Sequence, residues 1–162
     1  MITAIVLPAA FNEPIRLQEI DPSDLTAYTD LVGGNLQVLD LFRPQASLYL
    51  NEEGKLMGLP PNQHATALLW VHNSAFRGHD TIVGDAFVVG QPGDDDDLPA
   101  PDELVQLLFH TERYQIEVQV RGTEDWRTSG LTYTNWYSAY YCAISLAQGR
   151  AEVQEVRVVA AQ

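Results

Sequence analysis

The last third of the sequence carries the pattern that most limits how this chain can fold. Apolar and polar residues alternate from residue 114 to residue 120, which predicts a half-buried strand. Residues 126–133 follow a polar turn and predict an antiparallel partner strand. Asn135 is a good helix N-cap for residues 136–148, and residues 153–160 predict a closing strand. A β-β-α-β unit is therefore expected at this end of the chain.

The first part of the chain also mixes strand and helix signals. Residues 2–7 are mostly β-branched or apolar and predict a short strand. The segment Asp21-Pro22-Ser23-Asp24 predicts a helix start, with Asp21 as the N-cap residue and Pro22 in the first helical position. Gly33 is expected to end this helix, because glycine readily adopts the left-handed conformation found there.

A hairpin and a second helix are predicted next. Residues 47–50 and 55–57 flank the turn-forming segment 51–54 and predict two paired strands. Asn62 is a plausible N-cap for a helix that runs to about His72. The predicted fold class is therefore α+β, with a mostly antiparallel sheet, helices on one face of it, and the β-β-α-β unit at the end.

Residues 91–101 mark the predicted domain boundary. This segment combines four consecutive aspartates at 94–97 with several prolines and glycines, and it predicts an exposed linker that does not pack. The expected organisation is an α+β domain at residues 1–90, the acidic linker, and a module at residues 102–162.

The formal net charge of −13 limits the classes of partner. Binding to phosphate backbones depends on Lys and Arg, so direct binding to nucleic acid is not expected from 9 bases set against 22 acids. An acidic surface keeps a protein soluble, or it imitates DNA and covers a nucleic-acid-binding protein, and both readings stay open. The acidity is concentrated in residues 1–100, which hold 14 acids and 4 bases, a net of −10.

Cysteine, histidine and apolar content bear on location and metals. The single Cys142 forms no internal disulfide, and the start of the chain lacks the basic region of a signal peptide, which predicts the cytoplasm. No apolar run approaches the roughly 20 residues that span a bilayer, so no membrane association is expected. The four histidines are dispersed and have no cysteine partners, and therefore neither a metal site nor a cofactor is predicted.

Several spaced motifs carry a family resemblance. They are Leu31-Val32-Gly33-Gly34, Asn51-Glu52-x-Gly54-Lys55, Gly58-Leu59-Pro60, Asn62, Ala65-Thr66 and Ile82-Val83-Gly84-Asp85. On these residues the chain resembles the family called domain of unknown function 3846, found largely in bacteriophages and actinobacteria, over about residues 1–90. The resemblance implies no agreed activity. Its phage setting implies a role in host takeover or counter-defence, in which case the cytoplasm is that of the bacterial host.

Asn51, Glu52, Asn62 and Thr66 form the first predicted site. Their carboxylate, amide and hydroxyl groups would converge if the hairpin end folds back over the start of the helix that follows it. Free N–H groups at the helix start would favour an anion or a carbonyl, whereas Glu52 would favour a cation, an amine or ribose hydroxyls. The alternative is that these residues only shape the turn and cap the helix.

The second predicted site draws on the aromatic residues of the C-terminal unit. Trp126 or Tyr137 would stack on a base while Arg127 contacts a phosphate. Helical spacing directs Trp136 and Tyr140 to the core and leaves Tyr137 and Tyr141 free to face elsewhere. Packing in a core or in the interface of a homo-oligomer is the alternative reading.

Three functions are consistent with these features. The leading hypothesis is a non-enzymatic phage protein that binds and sequesters a small polar ligand, a nucleotide-type signal of host immunity. The alternative is an acidic interaction protein that inhibits a host nucleic-acid-binding protein by DNA mimicry. A hydrolase with Glu52 or Asp85 as the base is the third, and it lacks a catalytic partner residue in the sequence.

Overall fold

A computed structural model describes residues 1–162 as two antiparallel sheets and four α-helices, with a short 3₁₀ turn at Ser74–Phe76. In chain order the elements are β1 (Ile2–Leu7), β2 (Arg16–Ile20), α1 (Leu25–Val32), β3 (Leu36–Leu41), β4 (Ala46–Asn51), α2 (Gln63–His72), β5 (Ala86–Val89), α3 (Asp102–Phe109), β6 (Tyr114–Val120), β7 (Trp126–Tyr133), α4 (Trp136–Gly149) and β8 (Val153–Ala160). The predicted α+β class is confirmed. None of the helices combines the length and the apolar composition that a membrane crossing requires.

The larger sheet has five strands in the order β2-β1-β5-β4-β3, and every neighbouring pair is antiparallel. Alternate residues of β1 point to opposite faces, so Ile5 and Leu7 enter one core while Ala4 and Val6 enter another. Helix α1 covers the second face, and α2 lies on the first. The helices thus occupy both faces and not one as predicted, because the continuous apolar runs of β1 and β5 need burial on both sides.

The smaller sheet has the strand order β7-β6-β8 and, with α4, forms the predicted β-β-α-β unit. Ala139, Tyr140 and Ala143 of α4 are completely buried. They belong to a core of 27 residues that runs from Ile5 in the larger sheet to Val158 in the smaller one. Both sheets therefore share one hydrophobic core, in which α4 packs against α2.

The acidic segment 91–101 is tied to the sheet, although it was predicted to be a linker that does not pack. The backbone N–H of Gly90 donates to Leu98, and that of Ala100 donates to Thr3 at 2.8 Å. The Asp97 carboxylate accepts hydrogen bonds from the hydroxyls of both Tyr28 and Tyr49 at 2.9 Å. The division into two domains at this segment stays a prediction, but the segment itself is anchored.

The Asp97 anchor leads to a stability prediction. We expect Tyr28→Phe or Tyr49→Phe to lower the free energy of unfolding by about 1–2 kcal/mol each, because each removes a hydrogen bond to a half-buried carboxylate. Urea denaturation measures the loss. Tyr141→Phe is the matched control, since the Tyr141 hydroxyl has no partner in the chain and its removal should change nothing. Equal stability of Tyr28→Phe and the wild type would show that the hydrogen bond between Tyr28 and Asp97 does not stabilise the fold.

Two local predictions were wrong. Helix α1 is capped by Asp24, whose carboxylate accepts from the backbone of Thr26 and Ala27, whereas Asp21 binds Ser23 in the preceding turn. Strand β4 pairs with β3 across residues 42–45, and residues 52–58 form turns where a second hairpin strand was expected. The alternating sequence of β3 supplies a longer partner than the three residues at 55–57. Gly33 ends α1 in the left-handed conformation, as predicted.

Candidate functional site

A cleft of about 400 Å³ opens between helices α2 and α4. We call it the aromatic cleft. It is lined by Pro61, Asn62, Gln63, Thr66, Ala67, Trp70, Thr81, Tyr137, Tyr141, Ile144, Ser145 and Gln148. No charged side chain belongs to this lining.

Asn62 builds the wall of the cleft at the start of α2. Its amide nitrogen donates to the carbonyls of Leu7 and Gly84, both at 2.8 Å, and its amide oxygen accepts from the backbone of Ala65 at 2.9 Å. The residue is completely buried. The predicted helix cap is confirmed, and the same side chain also joins α2 to β1 and to the residues before β5.

Thr66 and Trp70 continue the α2 wall of the cleft. The Thr66 hydroxyl oxygen accepts from the backbone of Ile82 at 2.9 Å, which leaves its hydrogen available for a ligand. The Trp70 indole N–H donates to the Asp80 carbonyl at 2.6 Å. Because its polar tip is satisfied in this way, Trp70 presents only ring surface to the cleft.

Helix α4 supplies the opposite wall through Tyr137 and Tyr141, one turn apart. Tyr137 packs edge-on against Phe11 with ring centroids 4.8 Å apart, whereas Tyr141 is 61% exposed at the mouth of the cleft. The two tyrosine rings lie 6.4 Å apart. Burial raises the pKa of Tyr137, and the neighbouring Tyr141 raises it further by a smaller amount. Its hydroxyl therefore stays protonated at neutral pH and donates to the Gln63 amide oxygen at 3.3 Å.

Polar groups without a partner surround these rings. The hydroxyls of Thr81 and Tyr141 and the amide of Gln148 line the cleft, and the chain offers none of them a hydrogen bond. An amide presents both a donor and an acceptor, and a hydroxyl can act as either. The cleft can therefore stack a flat ligand and pair with its polar edge.

The structure brings three of the predicted site residues to this cleft, namely Asn62, Thr66 and Tyr137. Asn51 and Glu52 lie elsewhere. The buried Asn51 side chain donates to the Val32 carbonyl at 3.2 Å and accepts from the Glu53 backbone, so it shapes the turn after β4. Glu52 is exposed and its carboxylate makes no hydrogen bond. The predicted cluster of four polar side chains does not form, because Asn51 and Asn62 are each used to satisfy buried backbone groups.

Trp126 and Arg127 also lie outside the aromatic cleft. The guanidinium carbon of Arg157 lies 4.1 Å from the centroid of the Trp126 ring, and that of Arg43 lies 5.7 Å from it. Both are cation–π contacts. Arg127 points to a different cavity, between β7 and α4. Neither residue shares a cavity with Tyr137, as the predicted base-and-phosphate site would require.

Sequence reasoning did not name several residues of the cleft. Gln63, Trp70, Thr81 and Gln148 line it, and none stands out by residue type. The one available signal is the spacing of Tyr137, Tyr141 and Gln148, which places them along one side of α4, with Tyr137 at the edge of the core and the other two exposed.

Comparison with known proteins identifies the family and nothing closer. No curated protein matches the chain, and no solved structure matches it. The model of the family described as domain of unknown function 3846, DUF3846, matches residues 2–115. The match extends beyond the resemblance seen over about residues 1–90 and ends inside β6, so α2 lies within it and α4 lies outside. The chain therefore belongs to the DUF3846 family.

Proposed function

We propose that this protein is a non-enzymatic binding protein for a small, uncharged, planar ligand of the nucleoside type, which it holds in the aromatic cleft and so withdraws from solution. The observation that carries the proposal is the combination of ring surface and unpartnered neutral polar groups in one cleft. The volume of about 400 Å³ lies in the range of small-molecule sites.

The aromatic walls favour a flat ligand. Trp70 offers ring surface on the α2 side, and Tyr141 offers an exposed ring on the α4 side. Stacking of a base on an aromatic side chain is worth roughly 1–3 kcal/mol. The Gln148 amide and the Thr81 hydroxyl add the hydrogen-bonding groups that read the edge of a heterocycle.

The absence of charge in the lining favours a neutral ligand. A phosphate in this cleft would find no Lys or Arg, and it would meet the field of a chain with a net charge of −13. The lining also has no carboxylate, imidazole or thiol beside its hydroxyls, and so no base that would activate them as nucleophiles. Binding without turnover is the function that these groups support.

A cytoplasmic location belongs to the same proposal. Cys142 is the only cysteine and stays a free thiol, which suits a reducing compartment.

Calorimetric titration with adenosine, guanosine, cytidine and uridine tests the proposal. We expect one of them to bind, and at 100 times its dissociation constant to stabilise the fold by about 2.7 kcal/mol. Tyr141→Ala should weaken binding by about fivefold or more, the equivalent of roughly 1 kcal/mol of lost stacking. Tyr141→Phe keeps the ring and should retain most of the affinity.

Two glutamines provide the matched control. Gln148→Ala should weaken nucleoside binding, whereas Gln106→Ala, on the exposed side of α3 and away from the cleft, should not. Failure of all four nucleosides to bind the wild-type protein would refute the proposal and leave the acidic interaction protein as the leading function. Conversion of a bound nucleoside during long incubation would refute the non-enzymatic reading.

A further inference from the structure

A second cavity, of about 580 Å³, lies between strand β7 and helix α4. We call it the arginine cavity, after Arg127 of β7 and Arg150 at the end of α4, which both line it. Ser145 lines this cavity and the aromatic cleft as well, so the two recesses meet across the exposed ridge of α4.

The charge of the arginine cavity is opposite to that of the molecule. The chain holds 22 acids and 9 bases, yet two arginines and no carboxylate line this cavity. The other residues of the lining that carry a hydroxyl or thiol are Thr128, Ser129, Tyr133, Cys142 and Ser145. The cavity is therefore a local concentration of positive charge on an acidic protein.

Neither arginine is neutralised within the chain. Arg43 and Arg77 pair with Glu155, Arg157 pairs with Glu117, and Lys55 pairs with Asp80. By contrast, the side chains of Arg127 and Arg150 have neither an ion pair nor a hydrogen bond. Both arginines are exposed, and two unpaired guanidinium groups that line one recess favour an anion there.

A bulge in β7 shapes one wall of the cavity. Gln115 and Glu117 of β6 pair with Thr132 and Thr128, so β7 carries two extra residues at this point, and Gly130 adopts a φ of +86°. Arg127 pairs with Val118 and faces the cavity, whereas Thr128 pairs with Glu117 and its side chain lies on the opposite face of the strand. The bulged residues Ser129 and Leu131 complete this wall of the cavity. The Thr128 hydroxyl oxygen accepts from the Gly130 backbone within the bulge.

We propose that the arginine cavity binds a phosphate-type oxyanion. The guanidinium groups of Arg127 and Arg150 supply paired donors whose geometry matches phosphate oxygens, and Ser129 supplies a hydroxyl in the same lining. The phosphate group comes from one of two sources, inorganic phosphate or a phosphorylated form of the ligand in the aromatic cleft. The anion site itself rests on the second cavity alone, and only the second source of the phosphate rests on the nucleoside proposal.

Titration with inorganic phosphate at constant ionic strength tests the anion site. We expect saturable binding to the wild-type protein, weakened about tenfold by Arg127→Gln or by Arg150→Gln, since each removes one charge-assisted contact. Arg113→Gln is the matched control, because Arg113 is exposed, unpaired and outside the cavity. Its affinity for phosphate should equal that of the wild type.

Parallel titrations with a nucleoside and its 5′-monophosphate distinguish the two sources. If the monophosphate binds more tightly than the nucleoside, and Arg127→Gln removes only that difference, the phosphate belongs to the cleft ligand. If inorganic phosphate binds and the monophosphate gains nothing over the nucleoside, free phosphate is the source. If Arg127→Gln and Arg150→Gln bind phosphate as the wild type does, or if inorganic phosphate does not bind and the monophosphate gains nothing over the nucleoside, the inference is wrong. Nucleoside binding to these variants reports on the aromatic cleft separately.

Discussion

The Asn62→Ala variant is expected to lose about 3–5 kcal/mol of unfolding free energy. Asn62 is completely buried and satisfies three backbone groups, the carbonyls of Leu7 and Gly84 and the N–H of Ala65. A buried polar group left without a partner costs about 1–3 kcal/mol. This loss is a large fraction of the unfolding free energy of a typical small protein. Urea or thermal denaturation will therefore detect it.

Two further variants separate the roles of Asn62. Asn62→Ser keeps a cap for Ala65 but cannot reach the two carbonyls, so we expect it to recover only about 1 kcal/mol relative to Asn62→Ala. Asn12→Ala replaces an exposed asparagine that makes no hydrogen bond and should leave the stability unchanged. If Asn62→Ala lies within about 1 kcal/mol of the wild type, the three contacts do not hold α2 against the sheet.

The second large effect is a loss of stability in mild acid that is caused by His72. Burial lowers the pKa of His72 from 6.5 to about 4, even though its hydrogen bond to the Phe42 carbonyl opposes the shift. The Nδ1–H group donates to that carbonyl at 3.0 Å, and Nε2 accepts from the Tyr140 hydroxyl at 2.7 Å. Burial also raises the pKa of Tyr140, which therefore remains a donor. The folded protein thus holds His72 in its neutral form.

The sign of the pH effect follows from this shift. Above pH 6.5 the histidine is neutral in both the folded and the unfolded state, and the stabilising contribution is fully present. As the pH falls from 6.5 to about 4, His72 binds a proton in the unfolded state but not in the folded state. We expect the unfolding free energy to fall by about 3 kcal/mol across this window, since each unit of pKa shift corresponds to 1.36 kcal/mol.

Glutamine substitutions isolate the contribution of His72. The His72→Gln variant has no titrating group at this position, so the difference in stability between it and the wild type should change with pH over the window. His110→Gln, at an exposed histidine, should retain the wild-type pH dependence. Hydrogen bonds from Arg77 and the Val156 backbone outweigh the burial of Glu155 and hold its pKa below 4.5, so Glu155 loses its own stabilising contribution only at the lower end of this window. A parallel pH profile for His72→Gln and the wild type would contradict the assignment.

Local signals in the sequence were sufficient for most of the secondary structure. The alternation in β6 and the caps at Asn62 and Asn135 are short-range features, and the structure confirms all three. The prediction of Asp21 as the N-cap was wrong because Asp24 has the same carboxylate three residues later, directly before the first turn of α1. Propensity cannot choose between two equivalent caps when the packing of the helix decides.

The cleft could not be predicted because its walls are far apart in the chain. Thr66 and Tyr137 face each other only after α2 and α4 pack together in the shared core. The roles of Asn51 and Asn62 depend on carbonyls of Val32, Leu7 and Gly84 that sheet pairing brings to them. A sequence shows that a polar side chain is present, but not whether that side chain is already hydrogen-bonded to a buried backbone group.

The shared core also affects how the family itself is understood. The match to the family ends at residue 115, but His72 of α2 forms its buried hydrogen bond with Tyr140 of α4, which lies beyond that point. A relative that stops near the end of the matched region would leave this surface of α2 bare. In this chain the shared core therefore extends past the part that matches the family.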